Sequence, residues 1–340
     1  MPLSRRSILA ATAATAAVPA AALLPGQAFA ASTAPPFVPA PEERRPRARV
    51  VAEERIDERL LDLTIDSPAL GRTAKVRLML PPRWDRSTRR TWPVLYLLHG
   101  AFGDHTTWTK HQQIRQLADK KGVLVVMPEG GATGYYSNWW NHGAWGAPAW
   151  ETFHTHELKD IIESDYRAGH VRAAAGLSMG GQGAFTYAAR NPGMFRAAAS
   201  FSGVLHTAMV NGDLSGPGVI SMFIGYSGAD PTAIWGDPVE QRHLWAAFNP
   251  YDLAWRLRGV RLYASWGTGA PGPLDPVGAE TDNTERLCGR MSELFADRAR
   301  RLHLDLTAVS GPGTHTWPYF ERGLVDSFPM LMSAIGARTE

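Results

Sequence analysis

Cysteine is almost missing from this chain of 340 residues, in which Cys288 is the only one. A single cysteine excludes an intramolecular disulfide and any zinc site built from cysteines. Cys288 follows Glu285 by about one helical turn, and this position favours a small buried apolar side chain over a redox role.

A strong excess of positive charge is missing as well. The net charge is +3, and the first thirty residues contribute Arg5 and Arg6 without any acidic residue. The remainder therefore carries about +1 and shows no polybasic face, so we do not expect nucleic acid as a partner. Hydrophobic residues make up 44% and charged residues 20%, and this balance excludes general disorder.

Long hydrophobic runs are also missing. An Ala-rich stretch near the N-terminus is broken by Pro19 and Pro25, well short of the ~20 residues of a membrane-spanning helix, so we expect no stable membrane span. Paired arginines, Arg5-Arg6, precede this stretch, and Ala28-Phe29-Ala30 offers a small-x-small cleavage pattern. The sequence predicts an export signal over residues 1–30, of the twin-arginine type, with cleavage after about Ala30 and a secreted mature protein.

Two further regions follow the leader. Residues 31–49 are rich in Pro, Ala and Arg and predict a flexible tether, since they have little apolar surface to offset the ordering entropy. Residues 50–340 alternate β-type apolar runs with helical patterns, which predicts an α/β domain with a mostly parallel central sheet and helices on both faces. The predicted strands are 61–65, 75–80, 94–98, 123–127, 171–175, 196–201, 260–266 and 304–309. The predicted helices are 106–121, 149–166, 179–190 and 283–300.

Residues 204–258 interrupt this alternation and are rich in Gly, Pro and Trp. They predict an insertion over one edge of the sheet. Two roles stay open for it, a cover over a substrate pocket and a structural cap.

The segment Gly176-Leu177-Ser178-Met179-Gly180 lies directly between a predicted strand and a predicted helix. Strand, tight turn and helix in this order form the nucleophile elbow, in which the serine takes a strained backbone conformation. A side chain at Gly176 or Gly180 would collide across the turn, which is why glycine is needed at both positions. We therefore predict that Ser178 is a nucleophile at a helix N-terminus, where the helix dipole favours a developing anion.

A serine hydroxyl needs a base at neutral pH, and histidine is the side chain suited to that role. In this architecture the order is Ser, acid, His, with the histidine on a loop after the last strand. Of the eleven histidines, His315 alone follows the last predicted strand, so we predict that it is the base. The acid should lie between the strand 260–266 and His315, and the pattern leaves four candidates open: Asp275, Glu280, Asp282 and Glu285.

An oxyanion hole is expected from two backbone amides. One is that of Met179, directly after the nucleophile, and the other comes from the loop 99–103, where we choose Ala101 over Phe102. We expect no metal or organic cofactor. His154 and His156 lack a nearby cysteine or a His-Glu-x-x-His frame, so solvated helix histidines are favoured over metal ligands.

Aromatic residues cluster after the predicted strand 123–127. Their position leaves two interpretations open, an acyl or sugar pocket and packing of the insertion. The cluster consists of Tyr135, Tyr136, Trp139, Trp140, Trp145 and Trp150.

Several segments, taken in order along the chain, carry a family resemblance. They are Ser67-Pro68-Ala69-Leu70-Gly71-Arg72, Tyr96-Leu97-Leu98-His99-Gly100, Met127-Pro128-Glu129-Gly130-Gly131, Tyr136-Ser137-Asn138-Trp139-Trp140, Trp150-Glu151-Thr152-Phe153, Gly176-Leu177-Ser178-Met179-Gly180 and Gly313-Thr314-His315-Thr316-Trp317. Over roughly residues 61–335 the chain resembles the secreted mycolyltransferase-like esterases (the antigen 85 group) and their wider relatives, the esterase D family. The resemblance implies an α/β-hydrolase fold.

The resemblance also implies roles for particular residues. The acid of the family is a glutamate about thirty residues before its histidine, which points to Glu285. The tryptophan after that histidine shapes the substrate site in relatives, a role that Trp317 would inherit. We expect Phe102 and Trp139 to contact substrate as well.

The chain departs from the mycolyltransferases around Gly100. The mycolyltransferases are similar to this chain around this glycine, but they carry an acidic residue just before it and an arginine two positions after it. This chain has His99 and Phe102 at those two places. The acidic residue and the arginine are associated with trehalose handling, so trehalose mycolylation is not expected. The prediction is a secreted serine carboxylesterase that acts through an acyl-enzyme on small-molecule, lipid or sugar esters. The alternative is an acyltransferase that moves an acyl chain to a sugar or glycerol hydroxyl, and a third interpretation is a non-catalytic adhesin on the same fold.

Overall fold

The computed structural model describes residues 47–340. The predicted leader, and the predicted tether up to residue 46, lie outside the described residues. The first strand begins at Arg49, directly before the predicted start of the α/β domain.

Strands and short helices alternate along the described chain. The strands are β1 (Arg49–Arg55), β2 (Leu60–Ser67), β3 (Arg72–Met79), β4 (Trp92–Leu98), β5 (Leu124–Pro128), β6 (Ala168–Leu177), β7 (Phe195–Phe201), β8 (Val210–Asn211), β9 (Leu214–Ser215), β10 (Arg261–Gly267) and β11 (Leu306–Gly311). The helices are α1 (Thr107–Lys110), α2 (Gln113–Leu117), α3 (Trp150–Thr152), α4 (Leu158–Asp165), α5 (Met179–Arg190), α6 (Gly216–Tyr226), α7 (Pro231–Trp235), α8 (Arg242–Ala247), α9 (Pro250–Leu253), α10 (Asn283–Arg301) and α11 (Trp317–Ile335). Short 3₁₀ turns cover Asn141–Gly143 and Ala254–Leu257, and Phe153–Glu157 is a π-helical turn between α3 and α4.

The large sheet has the strand order β1-β2-β3-β5-β4-β6-β7-β10-β11. Its first three strands are antiparallel, β3 also pairs antiparallel with β5, and from β5 to β11 every pairing is parallel. The predicted α/β-hydrolase fold, with its mostly parallel sheet, is confirmed. Because β4, β5, β6, β7, β10 and β11 run parallel, the loops that follow their carboxyl ends meet at one edge of the sheet.

The central strands are apolar on both faces, which is why they read as nearly continuous hydrophobic runs. In β4, Val94, Tyr96 and Leu98 point into one hydrophobic core, and Leu95 and Leu97 point into the other. The first core is covered by helices that include α5 and α10, and the second by α2 and α11. The period-two alternation of β strands therefore divides the core between the two faces of the sheet.

Three elements differ from the predicted ones. The predicted helix 106–121 is two short helices, α1 and α2, because the chain turns to an extended conformation at His111. Strand β1 is not among the predicted strands, because six of its seven residues are exposed and it lacks an apolar pattern. Helix α11 is not among the predicted helices either. Its apolar residues recur every three or four positions, but Pro329 inside the helix interrupts the helical pattern.

The chain between β7 and β10 contains a small hairpin and the helices α6 to α9. It buries apolar side chains against the first core, among them Ile220, Ile224, Ile234, Trp235 and Trp245. No helix within residues 47–340 has the length and apolar character needed to cross a membrane.

Candidate active site

Ser178 lies in the sharp turn between β6 and α5. Its backbone has φ 52° and ψ −119°, the strained conformation that the elbow predicts. A Cβ atom at Gly176 would lie 2.4 Å from the Gly180 carbonyl, and one at Gly180 would lie 2.4 Å from the Leu98 carbonyl oxygen. Glycine is therefore required at both positions. Ser178 is partly exposed, and its hydroxyl makes no hydrogen bond within residues 47–340.

His315 and Glu285 form a hydrogen-bonded pair beside this turn. The imidazole Nδ1 lies 2.6 Å from Glu285 Oε2, and the glutamate side chain is fully buried while the histidine is 15% exposed. With Nδ1 donating to the carboxylate, Nε2 is the nitrogen left free to accept a proton. Both His315 and Ser178 line the same cavity, and no hydrogen bond joins them in this structure. Such contacts are often long before substrate binds.

The second oxygen of the Glu285 carboxylate is held by two further donors. Ser202 Oγ donates to Oε1 at 2.8 Å, and the Gly267 amide donates to the same oxygen at 2.5 Å. A buried carboxylate needs such partners because desolvation without them is costly. Ser202 is a functional candidate that the sequence patterns do not predict. Its signal in the sequence is weak, since it lies 83 residues from Glu285 along the chain.

The other acid candidates are engaged elsewhere. Asp275 accepts hydrogen bonds from the hydroxyls of Thr314 and Tyr319 and from the Gly272 amide. Although its partial burial acts in the opposite direction, these hydrogen bonds lower the pKa of Asp275. Glu280 has no hydrogen bond or ion pair with His315.

Asp282 is the N-cap of α10. One of its carboxylate oxygens accepts from the amides of Thr284 and Glu285, at 2.9 and 3.0 Å, and the other accepts from the His315 amide at 2.9 Å. Asp282 therefore contacts the backbone of His315, while Glu285 contacts its ring.

Two backbone amides near Ser178 have no partner within residues 47–340, those of Ala101 and Met179. The Phe102 amide, by contrast, already donates to the Ala132 carbonyl at 2.7 Å. This difference agrees with the choice of Ala101 over Phe102 as a donor. The loop that carries Ala101 packs directly on the elbow, because a Cβ at Gly100 would lie only 3.4 Å from the Ser178 Cβ.

His99 holds this loop through hydrogen bonds to backbone groups. Its Nε2 accepts the Gly130 amide at 2.8 Å, so its Nδ1 carries the proton and donates to the Gly100 carbonyl at 2.7 Å. Full burial lowers the pKa of His99, which keeps the ring neutral and preserves this arrangement. The Tyr136 hydroxyl donates to the His99 carbonyl at 2.9 Å and holds the same segment.

A cavity of about 490 Å³ opens over Ser178. Two predicted substrate-contact residues line it. Phe102 is 52% exposed and has φ 59°, while Trp317 stacks on His111 with ring centroids 3.7 Å apart. Phe223 of α6 also lines the cavity, 6.0 Å from the Phe102 ring, so the inserted segment contributes one wall.

The structure does not support a substrate contact for Trp139. This side chain is 8% exposed, donates its indole N–H to the Gly134 carbonyl at 3.3 Å and packs in the first core. None of the six clustered aromatic residues lines the cavity over Ser178. Tyr135 instead packs edge-on against Trp235, which favours the packing role for this cluster.

His154 is not a solvated helix histidine, which corrects the expectation for this residue. It is fully buried, with Nδ1 2.7 Å from the Tyr187 hydroxyl and Nε2 2.8 Å from the Glu129 carbonyl. Burial lowers its pKa to about 3. His156, two residues later, is exposed as expected. In the part of the chain that the structure describes, no cluster of three or more His, Cys, Asp or Glu side chains could hold a metal ion.

Cys288 is also buried, on the face of α10 next to the site. Burial, together with the Glu285 and Asp282 carboxylates, raises the pKa of this thiol well above its usual range. A thiol that stays protonated is a poor nucleophile and a poor redox group. Its surroundings therefore agree with the packing role expected from the sequence.

A larger groove, about 890 Å³, lies among charged residues elsewhere on the surface. No serine, threonine, cysteine or histidine lines it. Its Arg59 guanidinium is already used by the carbonyls of Leu80, Ala118 and Asp119. The smaller cavity over Ser178 is therefore the better candidate for chemistry, since it alone of the two brings together a nucleophile, a base and free amides.

A model of the Esterase family matches residues 67–331. This chain belongs to that family. The chain is 32% identical over 277 residues to Esterase Rv1288 of Mycobacterium tuberculosis, a match that covers 79% of this chain and 58% of the relative. The chain thus spans less than two thirds of that esterase.

Two further comparisons support the same placement. Over 287 residues the chain is 29% identical to the diacylglycerol acyltransferase/mycolyltransferase Ag85A of Mycobacterium leprae, covering 81% of this chain and 83% of the relative. The crystal structure of Mycobacterium tuberculosis MPT51 (FbpC1) superposes with a TM-score of 0.62 at 25% identity, covering 79% of this chain and 96% of that one.

Proposed function

We propose that this protein is an exported serine carboxylesterase that forms an acyl-enzyme on Ser178. The observation that carries the proposal is the cavity in which a strained serine, a histidine paired with a buried glutamate and an unpaired amide meet. These are the parts that acyl transfer through a serine requires. The esterase relatives support the same reaction class.

In the first half of the reaction, Ser178 Oγ attacks the ester carbonyl carbon. His315 Nε2 accepts the hydroxyl proton, and Glu285 stabilises the resulting imidazolium. The carbonyl oxygen becomes an anion that receives hydrogen bonds from the Ala101 and Met179 amides. The C–O bond of the ester then breaks, His315 returns the proton to the leaving alcohol, and the acyl group stays on Ser178.

In the second half, a water molecule attacks the acyl-enzyme. His315 accepts a proton from the water, and the two amides again stabilise the oxyanion. Collapse of this intermediate releases the carboxylic acid and returns the proton to Ser178. In both halves the two amides are already oriented toward the developing negative charge. Such electrostatic stabilisation of the transition state is usually the largest single contribution to the rate enhancement.

Acyl transfer to a sugar or glycerol hydroxyl is the second candidate. The similarity to a diacylglycerol acyltransferase/mycolyltransferase favours it. Chemically it differs only in the acceptor, since an alcohol replaces water in the second half. At Gly100 the chain has the buried, neutral His99 and the apolar ring of Phe102 in place of the acidic residue and arginine associated with trehalose handling, so trehalose is not the expected acceptor.

Export is part of the proposal. The paired Arg5-Arg6, the Ala-rich stretch and Ala28-Phe29-Ala30 support a leader of the twin-arginine type with cleavage after about Ala30. A route that carries folded proteins suits a chain with a single cysteine, since no disulfide has to form outside the cell.

The test is a panel of p-nitrophenyl esters of graded acyl length, measured with the wild-type protein and with Ser178→Ala. We expect the wild type to release p-nitrophenol with at least one ester and the variant to fall to the background rate while its melting temperature stays close to that of the wild type. Equal rates in the two proteins would contradict the proposal. Addition of glycerol or trehalose then separates the candidates, since a transferase would form a new ester at the expense of free acid.

A further inference from the structure

We propose that Asp282 is a positioning residue, which fixes the His315 loop to the start of α10 so that the His315 ring meets Glu285. This inference rests on the proposed function, because it assigns a role within the same site. Asp282 is not the acid itself, since its carboxylate oxygens contact backbone amides and Glu285 takes the ring nitrogen. The sequence pattern alone left the two residues as rivals for one role.

The contacts of Asp282 divide between two segments that are far apart along the chain. Its Oδ1 accepts from the amides of Thr284 and Glu285, which makes it an N-cap with two donors. Its Oδ2 accepts from the His315 amide, 33 residues away, at 2.9 Å. One carboxylate therefore joins the backbone of the acid to the backbone of the base.

The surrounding loops add to this connection. The Asp282 amide donates to the Gly269 carbonyl at 2.8 Å, the Gly269 amide donates to the Gly313 carbonyl at 3.0 Å, and the Gly313 amide donates to the Ala270 carbonyl at 2.7 Å. These bonds lie between glycine-rich segments, which have a high entropy cost of ordering. Asp282 supplies the side chain that binds His315 itself, and it also borders the cavity over Ser178.

The orientation of the imidazole depends on this connection. His315 lies in a loop between β11 and α11, so helix or strand hydrogen bonds do not fix its backbone. A displacement of about 1 Å in a group that transfers a proton can cost ~100-fold in rate. Loss of the Oδ2 contact should therefore lower turnover with little effect on substrate binding.

The test separates the two contacts of Asp282. Serine is as good an N-cap as aspartate but has only one oxygen, so Asp282→Ser keeps the cap of α10 and loses the acceptor for the His315 amide. Asp282→Ala loses both. The matched control is Asp230→Ser, because Asp230 caps α7 through the Thr232 amide at 2.8 Å and does not line the cavity.

We expect Asp282→Ser to melt close to the wild type and to lose about 10- to 100-fold in kcat with KM unchanged. Asp282→Ala should lose at least as much in kcat and also melt lower, while Asp230→Ser should keep the wild-type kcat. A second readout does not need turnover. The proton shared by His315 Nδ1 and Glu285 should give a far-downfield NMR resonance, and in Asp282→Ser this resonance should shift or broaden.

Two results would overturn the proposal. A wild-type kcat together with an unchanged resonance in Asp282→Ser would mean that Asp282 is only a helix cap. A loss in Asp282→Ser as large as that of Glu285→Gln would make Asp282 the acid. If the wild type hydrolyses no ester, the proposed function fails separately, and the resonance alone then decides whether Asp282 positions His315.

Discussion

Two regions of this molecule are built from the same kinds of side chain and have different capacities for chemistry. Around Ser178 the structure holds a histidine, a buried carboxylate and free backbone amides, and behind it lies a layer of buried aromatic residues with His154 and Tyr136. In that second region both nitrogens of His154 and the Tyr136 hydroxyl have partners: His154 bonds to Tyr187 and Glu129, and Tyr136 bonds to His99.

The first region differs because its hydrogen-bonding capacity is not used up. Ser178 Oγ, His315 Nε2 and the Ala101 amide have no hydrogen bond within residues 47–340, and all three residues line the cavity. Buried polar groups are nearly always paired, so unpaired ones at a cavity are informative. A histidine available for catalysis therefore has one ring nitrogen without a hydrogen bond, as His315 has, while a structural histidine such as His154 has partners on both nitrogens.

The largest expected effect is that of Glu285→Gln. The glutamine amide would face His315 Nδ1 with a donor, so the ring would place its proton on Nε2 and could not accept one from Ser178. We expect kcat to fall about 10³- to 10⁴-fold in an ester-hydrolysis assay. The control is Glu293→Gln, which removes an exposed carboxylate from the same helix. If Glu285→Gln kept the wild-type rate, the role of Glu285 would be wrong.

A smaller effect is expected from His154→Gln, and it should appear in stability. Loss of buried hydrogen bonds should lower the free energy of unfolding by about 2 kcal/mol, with kcat of the folded protein unchanged. If the fully folded His154→Gln protein had a reduced kcat, His154 would take part in turnover, and the distinction between the two regions would be wrong. His156→Gln is the matched control, since His156 is exposed two residues away.

The His154→Gln substitution should also change the pH dependence of stability. The pKa of His154 is lowered by burial from 6.5 to about 3, so the unfolded chain binds a proton more readily than the folded one between these values. The contribution of neutral His154 to the free energy of unfolding is therefore fully present above pH 6.5. It falls as the pH drops toward 3, by at most about 1.4 kcal/mol per pH unit for one group. His99 adds to this slope in the same direction. Melting temperatures of His154→Gln should fall less steeply between pH 7 and pH 5 than those of the wild type, and an equal slope would contradict the prediction.

The smallest effect is that of Phe102→Ala, which removes an apolar wall of the cavity. We expect KM for an apolar ester to rise about 3- to 10-fold with kcat nearly unchanged, because part of an aromatic contact area is lost. Trp145→Ala is the control, since Trp145 is 46% exposed and lies outside the cavity. An equal rise in KM for both variants would remove Phe102 from the substrate contacts.

Local patterns predicted much of the fold. The central strands are apolar on both faces, so each appears as a hydrophobic run, and the elbow is a short motif whose glycines are required by contacts within a few ångström. Strand β1 gives no such pattern because it is an exposed edge strand, held by its pairing with β2.

The candidate site was only partly predictable, because its remaining parts depend on contacts between distant segments. Asp282 and Glu285 are alike in type and position along the chain, and only the folded loop shows which of them faces the ring of His315 and which its backbone. Ser202 approaches Glu285 through the pairing of strands β7 and β10, for which the sequence has no local signal. Trp139 shows the converse, since an aromatic residue near the sheet edge can belong wholly to the core.

Whether Ser178 is the nucleophile is decided by labelling the wild-type protein with a fluorophosphonate, followed by peptide mass spectrometry. We expect a single phosphonyl adduct, located on Ser178 and absent from Ser178→Ala. An adduct on another residue, or equal labelling of the variant, would contradict this assignment.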